Sequence, residues 1–530
     1  MIAAARRGQA RAVLCGLLAL LAADCAGPRR GEQAFEPNAG GRVFAVAFHG
    51  IHDKYVDAIP MGILASSALE QVSSLDHDFV AEVGSGEVRL IERGRVIGRA
   101  IAPDDDDPDG WARITTEFIT AAEDRSRAVA SATAEEVYAR ILRGALHPLD
   151  SLSRYADARQ ARAQRAARDG YGGIGAQITV DARGVVISSV SRDGPAARAS
   201  IRAGDIILRI DGEDVRKLDE FAAIDRLRGR PGTPVRLSLS PTGAAGPQEV
   251  VLTRTSIIPE TVRLDMIGDA ALIKVTSFNQ GTARSLSQMV AEARRRTNGR
   301  FAGIILDLRG NPGGLLDQAV AVADIFLSSG RIISTRGRHP DSFQLFDATG
   351  SDAAAGAPIV VLIDGGSASS SEVVAAALQD RGRAVVVGSN SYGKGTVQNI
   401  IRLPNDGELA ITWSRLYAPS GYTFDGLGIL PNVCTSAVEE DGSAVLARIS
   451  RGEITDALRL AAWRTATDLD EAQRRDLART CPKARGERTA DLDVARGLLA
   501  QRQLYAKALA LAVPAEATAS RAIGTSAVPY

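Results

Sequence analysis

The sequence predicts a multidomain α/β protein, in which a mixed and mostly parallel sheet layer is flanked by helical regions at both ends. Buried strand-like runs at 301–308 and 358–364 each lead through a loop of small residues into a helix, which is the alternation that a parallel α/β layer needs. Helical periodicity dominates residues 30–168 and returns after Cys434. At roughly 100–200 residues per domain, a chain of 530 residues is expected to form about three or four domains.

Charge and composition exclude several classes of function. The chain contains 63 Lys+Arg and 63 Asp+Glu, so its formal net charge is zero, and 5% of its residues are aromatic. This balance argues against a basic nucleic-acid-binding surface and against a disordered chain. We therefore expect no nucleic-acid partner. Metal-ligand spacing is absent from the sequence, and we expect neither a metal nor a cofactor.

The first residues of the chain have the layout of an export signal. Three arginines precede the apolar run 12–23, and small residues around Cys25 follow it. About a dozen apolar residues are too few to cross a membrane. Residues 1–25 are therefore predicted to be a signal peptide or N-terminal anchor, and the protein to be exported to a bacterial periplasm or cell envelope. Lipidation at Cys25 is the minor alternative, because Asp24 does not fit that motif. The sequence does not decide whether this segment is cleaved or is retained as a membrane attachment.

Residues 26–168 are predicted to form a mostly helical region. Amphipathic stretches begin near Phe44 and continue at 134–146 and 153–168. The acidic run Asp104–Asp107 is predicted to be a solvated loop, because the ligand spacing of a calcium loop does not follow it.

Between about 169 and 256 the sequence changes to short alternating strands with tight turns. A glycine-rich run precedes the strand 176–180, and it consists of Gly172, Gly173, Ile174 and Gly175. Such a loop lets several backbone N–H groups converge on one anion, and the adjacent strand edge can accept an added peptide strand. With Gly194-Pro195-Ala196 and Gly204-Asp205-Ile206-Ile207, this order of elements resembles a PDZ domain of the bacterial, permuted kind. The resemblance implies that the loop binds a free C-terminal carboxylate.

A cluster of four serines follows the buried strand 358–364. It lies in the block Gly365-Gly366-Ser367-Ala368-Ser369-Ser370-Ser371-Glu372, which leads into a helix that begins at about Ser371. A strand–loop–helix turn exposes a hydroxyl and directs the first N–H groups of the helix at whatever that hydroxyl attacks. A helix-capping cluster is the alternative, but four serines exceed what one cap needs.

Two further glycine-containing loops follow hydrophobic strands. Lys394 lies between two glycines, and desolvation there would lower its pKa, as a lysine general base requires. An exposed turn lysine is the alternative. The loop 307–314 offers backbone N–H groups of the kind that stabilise an oxyanion.

The ordered set of a PDZ-like region, 307–314, 367–372 and 392–398 resembles the C-terminal processing peptidases, which are serine proteases with a Ser/Lys dyad. The resemblance extends from about Gly170 to Asn432 and implies a crotonase-like peptidase core over 257–434. It also implies a role for each site residue: Ser369 is the nucleophile, Lys394 is the general base, Gln398 orients the lysine, and the backbone N–H groups of Gly314 and Ser370 form the oxyanion hole. Ser370 stands where the family has alanine and adds a competing hydroxyl, so the choice of Ser369 depends on the resemblance. Glu372 is expected to support the helix start.

The C-terminal region, 435–530, is predicted to be helical, because Val494, Leu498 and Tyr505 lie near one helix face. Packing or dimerisation is as good a candidate for the role of this region as any chemistry. Cys434 and Cys481 would be the two cysteines left after export. They are as well explained by a disulfide as by two free buried thiols.

We therefore expect an exported serine endopeptidase that captures proteins with apolar C-termini in its PDZ domain and cleaves them through an acyl-enzyme. A catalytically inactive PDZ-bearing scaffold is the alternative, which the intact set of site residues disfavours. A trypsin-like enzyme is disfavoured because none of the five histidines lies in a triad context. Homo-oligomerisation, an adaptor protein, and whether the PDZ domain inhibits or activates stay open.

Overall fold

The computed structural model describes residues 34–511, except 85, 217, 244–245, 438–440, 454–455 and 466–469. The predicted export segment, 1–25, and the end of the chain lie outside the described residues. The chain divides into two compact units. One comprises the residues up to Arg159 together with 400–411, and the other comprises 160–399 and the residues from 412 onward.

The first unit is mostly helical, but it also contains a small antiparallel sheet that the sequence did not predict. Its helices are α1 (Pro37–Lys54), α2 (Met61–Glu70), α3 (Val72–Leu75), α4 (Pro108–Glu123), α5 (Arg127–Ala130) and α6 (Ala134–Leu146). Strands β1 (Phe79–Val83), β2 (Glu87–Glu92) and β3 (Arg95–Ile101) form the sheet in that order, and β4 (Arg154–Ala156) follows. Asp107, from the predicted acidic loop, caps α4 by accepting a hydrogen bond from Gly110 N at 2.9 Å.

The region predicted to be a PDZ domain, called the PDZ region below, begins after α7 (Ala158–Asp169). Its elements are β5 (Tyr171–Gly173), β6 (Ala176–Asp181), β7 (Gly184–Val190), α8 (Pro195–Arg198), β8 (Ile206–Ile210), β9 (Glu213–Asp214), α9 (Glu220–Leu227), β10 (Pro234–Ser240), β11 (Gln248–Thr253) and β12 (Thr255–Ile257). The main sheet has the order β11-β10-β8-β7-β6, while β12 pairs with β5. Alternate side chains of these strands, such as Ile187, Ile207 and Leu237, are buried in one core, as a sheet with one covered face requires.

The region 257–434, for which a peptidase core is predicted, is built on a six-stranded sheet with the order β13-β14-β15-β18-β19-β22, in which the β13–β14 pair alone is antiparallel. Its elements are β13 (Val262–Ile267), β14 (Ala270–Val275), α10 (Thr282–Arg296), β15 (Gly303–Asp307), α11 (Leu316–Asp324), β16 (Arg331–Arg336), β17 (Gln344–Asp347), β18 (Ile359–Ile363), α12 (Ser370–Asp380), β19 (Val385–Gly388), β20 (Thr396–Arg402), β21 (Glu408–Tyr417) and β22 (Val433–Cys434). A second sheet has the order β17-β16-β21-β20.

Every residue of β15 and β18 is buried, because helices cover both faces of the parallel sheet. Alternate side chains of these strands pack with α10, α11 and α12 on one face. The C-terminal region contains α13 (Gly442–Arg451), α14 (Asp456–Arg464), α15 (Glu471–Ala478), α16 (Thr489–Ala500) and α17 (Arg502–Ala510). Of these, α13, α16 and α17 cover the other face of the sheet, whereas α14 and α15 pack into the same core as α10, α11 and α12. The single helix face expected for Val494, Leu498 and Tyr505 is wrong, because the helix breaks at Gln501 and Tyr505 lies on α17 while the other two lie on α16. All three side chains nevertheless pack against the sheet of their own chain.

The structure pairs Cys434 with Cys481 in a disulfide that joins β22 to the segment after α15. Of the two alternatives that the sequence left open, the disulfide is thus the observed one. Within the described residues, no helix is long and apolar enough to cross a membrane.

Candidate active site

Three loops leave the carboxyl ends of neighbouring parallel strands and meet at one edge of the sheet. They are 308–315 after β15, 364–369 after β18, and 389–395 after β19. Ligand sites of open α/β sheets are found at this edge, because the loops there are adjacent whatever their distance along the chain. All the residues predicted for the dyad and the oxyanion hole, apart from Gln398, lie on these loops or directly beside them.

Ser369 is the residue that precedes α12 and turns the chain from strand to helix. Its φ is +55°, in the left-handed region that non-glycine residues seldom adopt and that costs about 1–3 kcal/mol. Its backbone N–H donates to Oε2 of Glu372 at 2.7 Å. The side chain is only partly buried. This geometry presents the hydroxyl at the turn, as the sequence predicts.

The other three serines of the cluster have a structural role. The hydroxyl of Ser367 donates to Leu308 O at 2.8 Å, that of Ser370 to Gly314 O at 3.0 Å, and that of Ser371 to Asn311 O at 2.9 Å. All three side chains are buried. They fasten the serine loop to the glycine loop 308–315, whereas Ser369 retains solvent access. The hydroxyl of Ser370 is therefore no competitor to that of Ser369.

The glycine loop packs directly against the predicted nucleophile. Gly313 has a φ of +99°, and a Cβ placed on it would lie 2.9 Å from the Cβ of Ser369 and 3.0 Å from Ser370 N. Asn311 holds the loop by donating its side-chain amide to Val275 O and accepting a bond from Gly313 N, at 2.8 and 2.9 Å. The two predicted oxyanion donors, Gly314 N–H and Ser370 N–H, thus lie on adjoining segments.

A buried carboxylate joins the serine loop to the lysine loop. Besides Ser369 N, Glu372 accepts hydrogen bonds from Lys394 N at 2.8 Å, from Gly393 N at 2.6 Å, and from the hydroxyl of Ser391. Its side chain is 1% exposed. Burial raises the pKa of Glu372, and the bonds from Ser391 and the three N–H groups oppose that shift without cancelling it.

Glu372 was expected only to support the helix start, and its bonds to the lysine loop were not predicted. One signal was present: the helix 370–378 is otherwise built of small and apolar residues. A carboxylate in such a helix is buried with the rest, and a buried carboxylate needs hydrogen-bond donors from elsewhere in the chain.

The lysine loop is also held by hydrogen bonds with the segment 416–428. Gly393 O accepts a bond from Gly426 N at 2.9 Å, Gly395 O accepts one from Leu416 N at 2.7 Å, and Gly395 N donates to Asp425 at 3.0 Å. A Cβ on Gly393 would lie 3.0 Å from Gly428 N. The backbone on both sides of Lys394 is therefore fixed, and the lysine side chain is half-buried.

Gln398 lies on β20, four residues after Lys394. Its amide nitrogen donates to the hydroxyls of Thr396 and Thr412, each at 3.2 Å. These bonds set the plane of the amide.

The PDZ region contains a groove of about 370 Å³ between β6 and α9. Gly173 and Ile174 line one end, and Ile178, Ile224 and Leu227 contribute apolar walls. The other two residues of the predicted carboxylate loop shape its backbone. Gly172 O accepts a bond from Gly229 N at 3.0 Å, and Gly175, with a φ of +73°, passes so close to Gly194 that a Cβ would lie 2.9 Å from its Cα.

Comparisons with known proteins show the family to which the chain belongs. The family model of peptidase family S41 matches residues 269–435, and that of the PDZ domain matches residues 163–240. A carboxy-terminal-processing protease of Bartonella bacilliformis is 37% identical over 327 residues, which are 61% of this chain and 73% of that protein. The chain belongs to the carboxy-terminal-processing protease family. As a member of that family it is a serine-type peptidase, and the predicted fold class of a PDZ domain before an α/β peptidase core is confirmed.

Two further matches are less similar to this chain. The carboxy-terminal processing protease CtpA of Bacillus subtilis is 31% identical over 298 residues, which cover 55% of this chain and 62% of that one. Among solved structures, a photosystem II D1 C-terminal processing protease aligns over 74% of this chain and 92% of its own, with 22% identity and a TM-score of 0.38.

Proposed function

We propose that this peptidase is exported, captures the free C-terminus of a protein substrate in its PDZ groove, and cleaves that substrate with a Ser369/Lys394 dyad. The observation that carries the dyad is the shared acceptor Glu372, since the backbone N–H groups of Ser369 and Lys394 both donate to its Oε2. One rigid carboxylate thereby sets the position of the nucleophile relative to that of the base.

The reaction runs as an acyl transfer. Neutral Lys394 takes the proton from the hydroxyl of Ser369 while Oγ attacks the scissile carbonyl carbon. The negative charge that develops on the carbonyl oxygen is met by the N–H groups of Gly314 and Ser370. The lysine ammonium then gives its proton to the leaving amine, the C–N bond breaks, and water later hydrolyses the acyl-enzyme.

Gln398 orients the base in this proposal. Its amide nitrogen is occupied by Thr396 and Thr412, so its amide oxygen is the acceptor that we assign to the protonated lysine. Orientation by a neutral acceptor does not add a charge that would hold the lysine in its ammonium form.

The dyad is tested with Ser369→Ala and Lys394→Ala, and with Ser287→Ala as a control on an exposed position of α10. Each dyad variant is expected to cleave an unfolded protein with an apolar C-terminus at least about a thousandfold more slowly than the wild type, while the control retains its activity. Full activity of either dyad variant would remove that residue from the mechanism. A wild type that cleaves none of a broad set of unfolded proteins would favour the inactive scaffold.

Capture of a free C-terminus is tested in the PDZ groove. Ile224→Glu places a charge in the apolar wall, and Val251→Glu places the same charge on an exposed residue of β11, which is not among the groove residues. We expect Ile224→Glu alone to weaken binding of a peptide with an apolar C-terminus by about tenfold or more.

C-terminal amidation of the peptide should weaken its binding to the wild type, because the backbone N–H groups of Gly173 and Ile174 would lose their anion. Equal binding of the acid and the amide would refute carboxylate recognition.

Export is proposed from the charge and hydropathy pattern of residues 1–25. The Cys434–Cys481 disulfide supports it, since disulfides persist in oxidising compartments. A fusion of residues 1–30 to a phosphatase that is active only after export should be active, and deletion of the run 12–23 should abolish that activity. An inactive fusion that is stably produced in the cytoplasm would contradict export.

A further inference from the structure

A segment from the C-terminal region runs alongside the loops of the candidate active site. Ala484 O accepts hydrogen bonds from Gly365 N at 2.6 Å and from the hydroxyl of Ser389 at 3.1 Å. Two residues later, Gly486 N donates to the Asp364 carboxylate at 3.0 Å. The segment thus contacts the loop that leads to Ser369 and the loop that leads to Lys394.

Lys483 reaches the lysine loop with its side chain. Its Nζ donates to Tyr392 O at 2.6 Å and lies 5.8 Å from the centroid of the Tyr392 ring. The N–H of the same peptide group, Gly393 N, donates to Glu372 at 2.6 Å. A single peptide group therefore has an ammonium on its carbonyl oxygen and a carboxylate on its N–H.

This arrangement favours one orientation of that peptide group. The peptide dipole lies between a cation at its negative end and an anion at its positive end, and hydrogen bonds to charged groups are shorter and roughly twice as strong as neutral ones. Gly393 has a φ of +87°, and glycine rotates more freely than any other residue. The two charges thus restrain the residue that directly precedes Lys394.

We propose that Lys483 is a positioning residue for the catalytic base, acting through the Tyr392–Gly393 peptide group and supplying the counter-charge to buried Glu372. This inference rests on the proposed function of Lys394. It gives the C-terminal region a part in catalysis in addition to its packing on the sheet. Because Cys481 is two residues from Lys483, the disulfide anchors the start of the segment that carries this ammonium group.

The test compares Lys483→Met, which keeps the length of the side chain but removes its charge, with Lys483→Arg, which keeps a cationic donor. Arg485→Met is the matched control, since it removes a cation from an exposed position of the same segment. Rates are expressed per active site, titrated with a serine-reactive phosphonate, so that a loss of folded protein does not count as a loss of kcat.

For Lys483→Met we expect kcat to fall about tenfold or more, with KM for a protein substrate within about twofold of the wild type. Lys483→Arg should recover most of that loss, and Arg485→Met should match the wild type. A kcat of Lys483→Met equal to that of the control would overturn the inference. So would an arginine variant as slow as the methionine variant at an unchanged melting temperature, because a cationic donor would then be irrelevant.

The same experiment separates this inference from the proposed function. If the wild type and Arg485→Met cleave the substrate while Ser369→Ala does not, the proposed role of Ser369 is supported independently of the result for Lys483→Met. If Lys483→Met does not fold, the inference depends on the arginine variant, which has to cleave at a rate near that of the wild type. An arginine variant that folds and has lost activity would refute the inference.

Discussion

Ser369 and Lys394 donate their backbone N–H groups to one carboxylate oxygen, Oε2 of Glu372, at 2.7 and 2.8 Å. The predicted nucleophile begins a helix and the predicted base lies in a loop after the next strand, so nothing local in the chain relates them. Because both N–H groups bond to the same oxygen of a buried side chain, Glu372 fixes the distance between the backbone of Ser369 and that of Lys394.

Replacement of Glu372 by glutamine should impair catalysis severely. Three backbone N–H groups point at the carboxylate, and an amide would present an N–H₂ group to at least one of them. Leaving buried donors without an acceptor costs about 1–3 kcal/mol each, so we expect kcat/KM to fall about 100-fold or more. Steady-state kinetics of the purified variant measures this. Peptide binding to the PDZ groove serves as the control for folding, and a kcat/KM within threefold of the wild type would contradict the role of Glu372.

The activity should decline on acidification before the protein unfolds. Burial raises the pKa of Glu372 above its ordinary range, so the carboxylate is protonated at a higher pH than a solvated glutamate. When Glu372 is protonated, one of its oxygens carries a hydrogen and accepts less well from the N–H groups of the serine and lysine loops. The two loops are then held less firmly, and we expect kcat/KM to fall. Acidification has the opposite effect on stability. Because the pKa of Glu372 is higher in the folded than in the unfolded state, the folded state binds the proton more tightly. Between the two pKa values, the contribution of Glu372 to the free energy of unfolding therefore increases as the pH falls. Kinetics and circular dichroism over the same pH series should show inactivation first. Coincident inactivation and unfolding would count against this account.

The close approach of Gly313 to Ser369 predicts a position-specific effect of an added methyl group. Gly313→Ala would place its Cβ within 3.0 Å of Ser369 and Ser370, so we expect a large loss of kcat. Gly310→Ala is the control: its φ is also positive, at +70°, but a Cβ there meets nothing within 4 Å. Both variants carry backbone strain of about 1–2 kcal/mol, and the difference between their rates therefore reports the contact of the added methyl group with residues 368–370 around the proposed nucleophile. Equal activities would show that the contact is not important.

Reduction of the Cys434–Cys481 disulfide should lower both stability and activity. The bond closes a loop with a sequence separation of 47 residues, and its loss is expected to cost about 2–4 kcal/mol. Activity should fall as well, because the bond anchors the segment whose Lys483 and Ala484 contact the site loops. The melting temperature and kcat are measured with and without a reductant. The double variant Cys434→Ser/Cys481→Ser should resemble the reduced wild type and no longer respond to the reductant, and a reduced enzyme with full kcat would disprove the link to activity.

Much of the fold follows from local pattern. The runs 301–308 and 358–364 were expected to be buried parallel strands, and they contain β15 and β18 in the centre of the sheet. Their continuous apolar character is typical of strands that are covered on both faces. The sheet of β1, β2 and β3 was missed although Val88 and Leu90 alternate with charged residues in β2, because the whole stretch was assigned from the helical periodicity on either side of it.

Local sequence pattern predicted the position of the serine cluster but not which of its four serines has a distinct role. Its position at a strand–helix turn was predictable from small residues after an apolar run, but four hydroxyls were then equivalent, and Ser369 was selected by a family resemblance. In the structure, Ser367, Ser370 and Ser371 bond to carbonyl groups about 55–60 positions earlier in the chain. Only those contacts explain why three serines are structural.

By itself the sequence determined the order of the regions, the alternation of strands and helices, and the loops on which reactive groups lie, because periodicity and glycine content act over a few residues. The tertiary structure decided the link through Glu372, the pairing of Cys434 with Cys481, and the contact of Lys483 with the lysine loop. Each of these joins residues that are brought together only when parallel strands align their carboxyl ends and the C-terminal helices return to cover the sheet. Such contacts depend on how a chain closes on itself, and local spacing does not encode them.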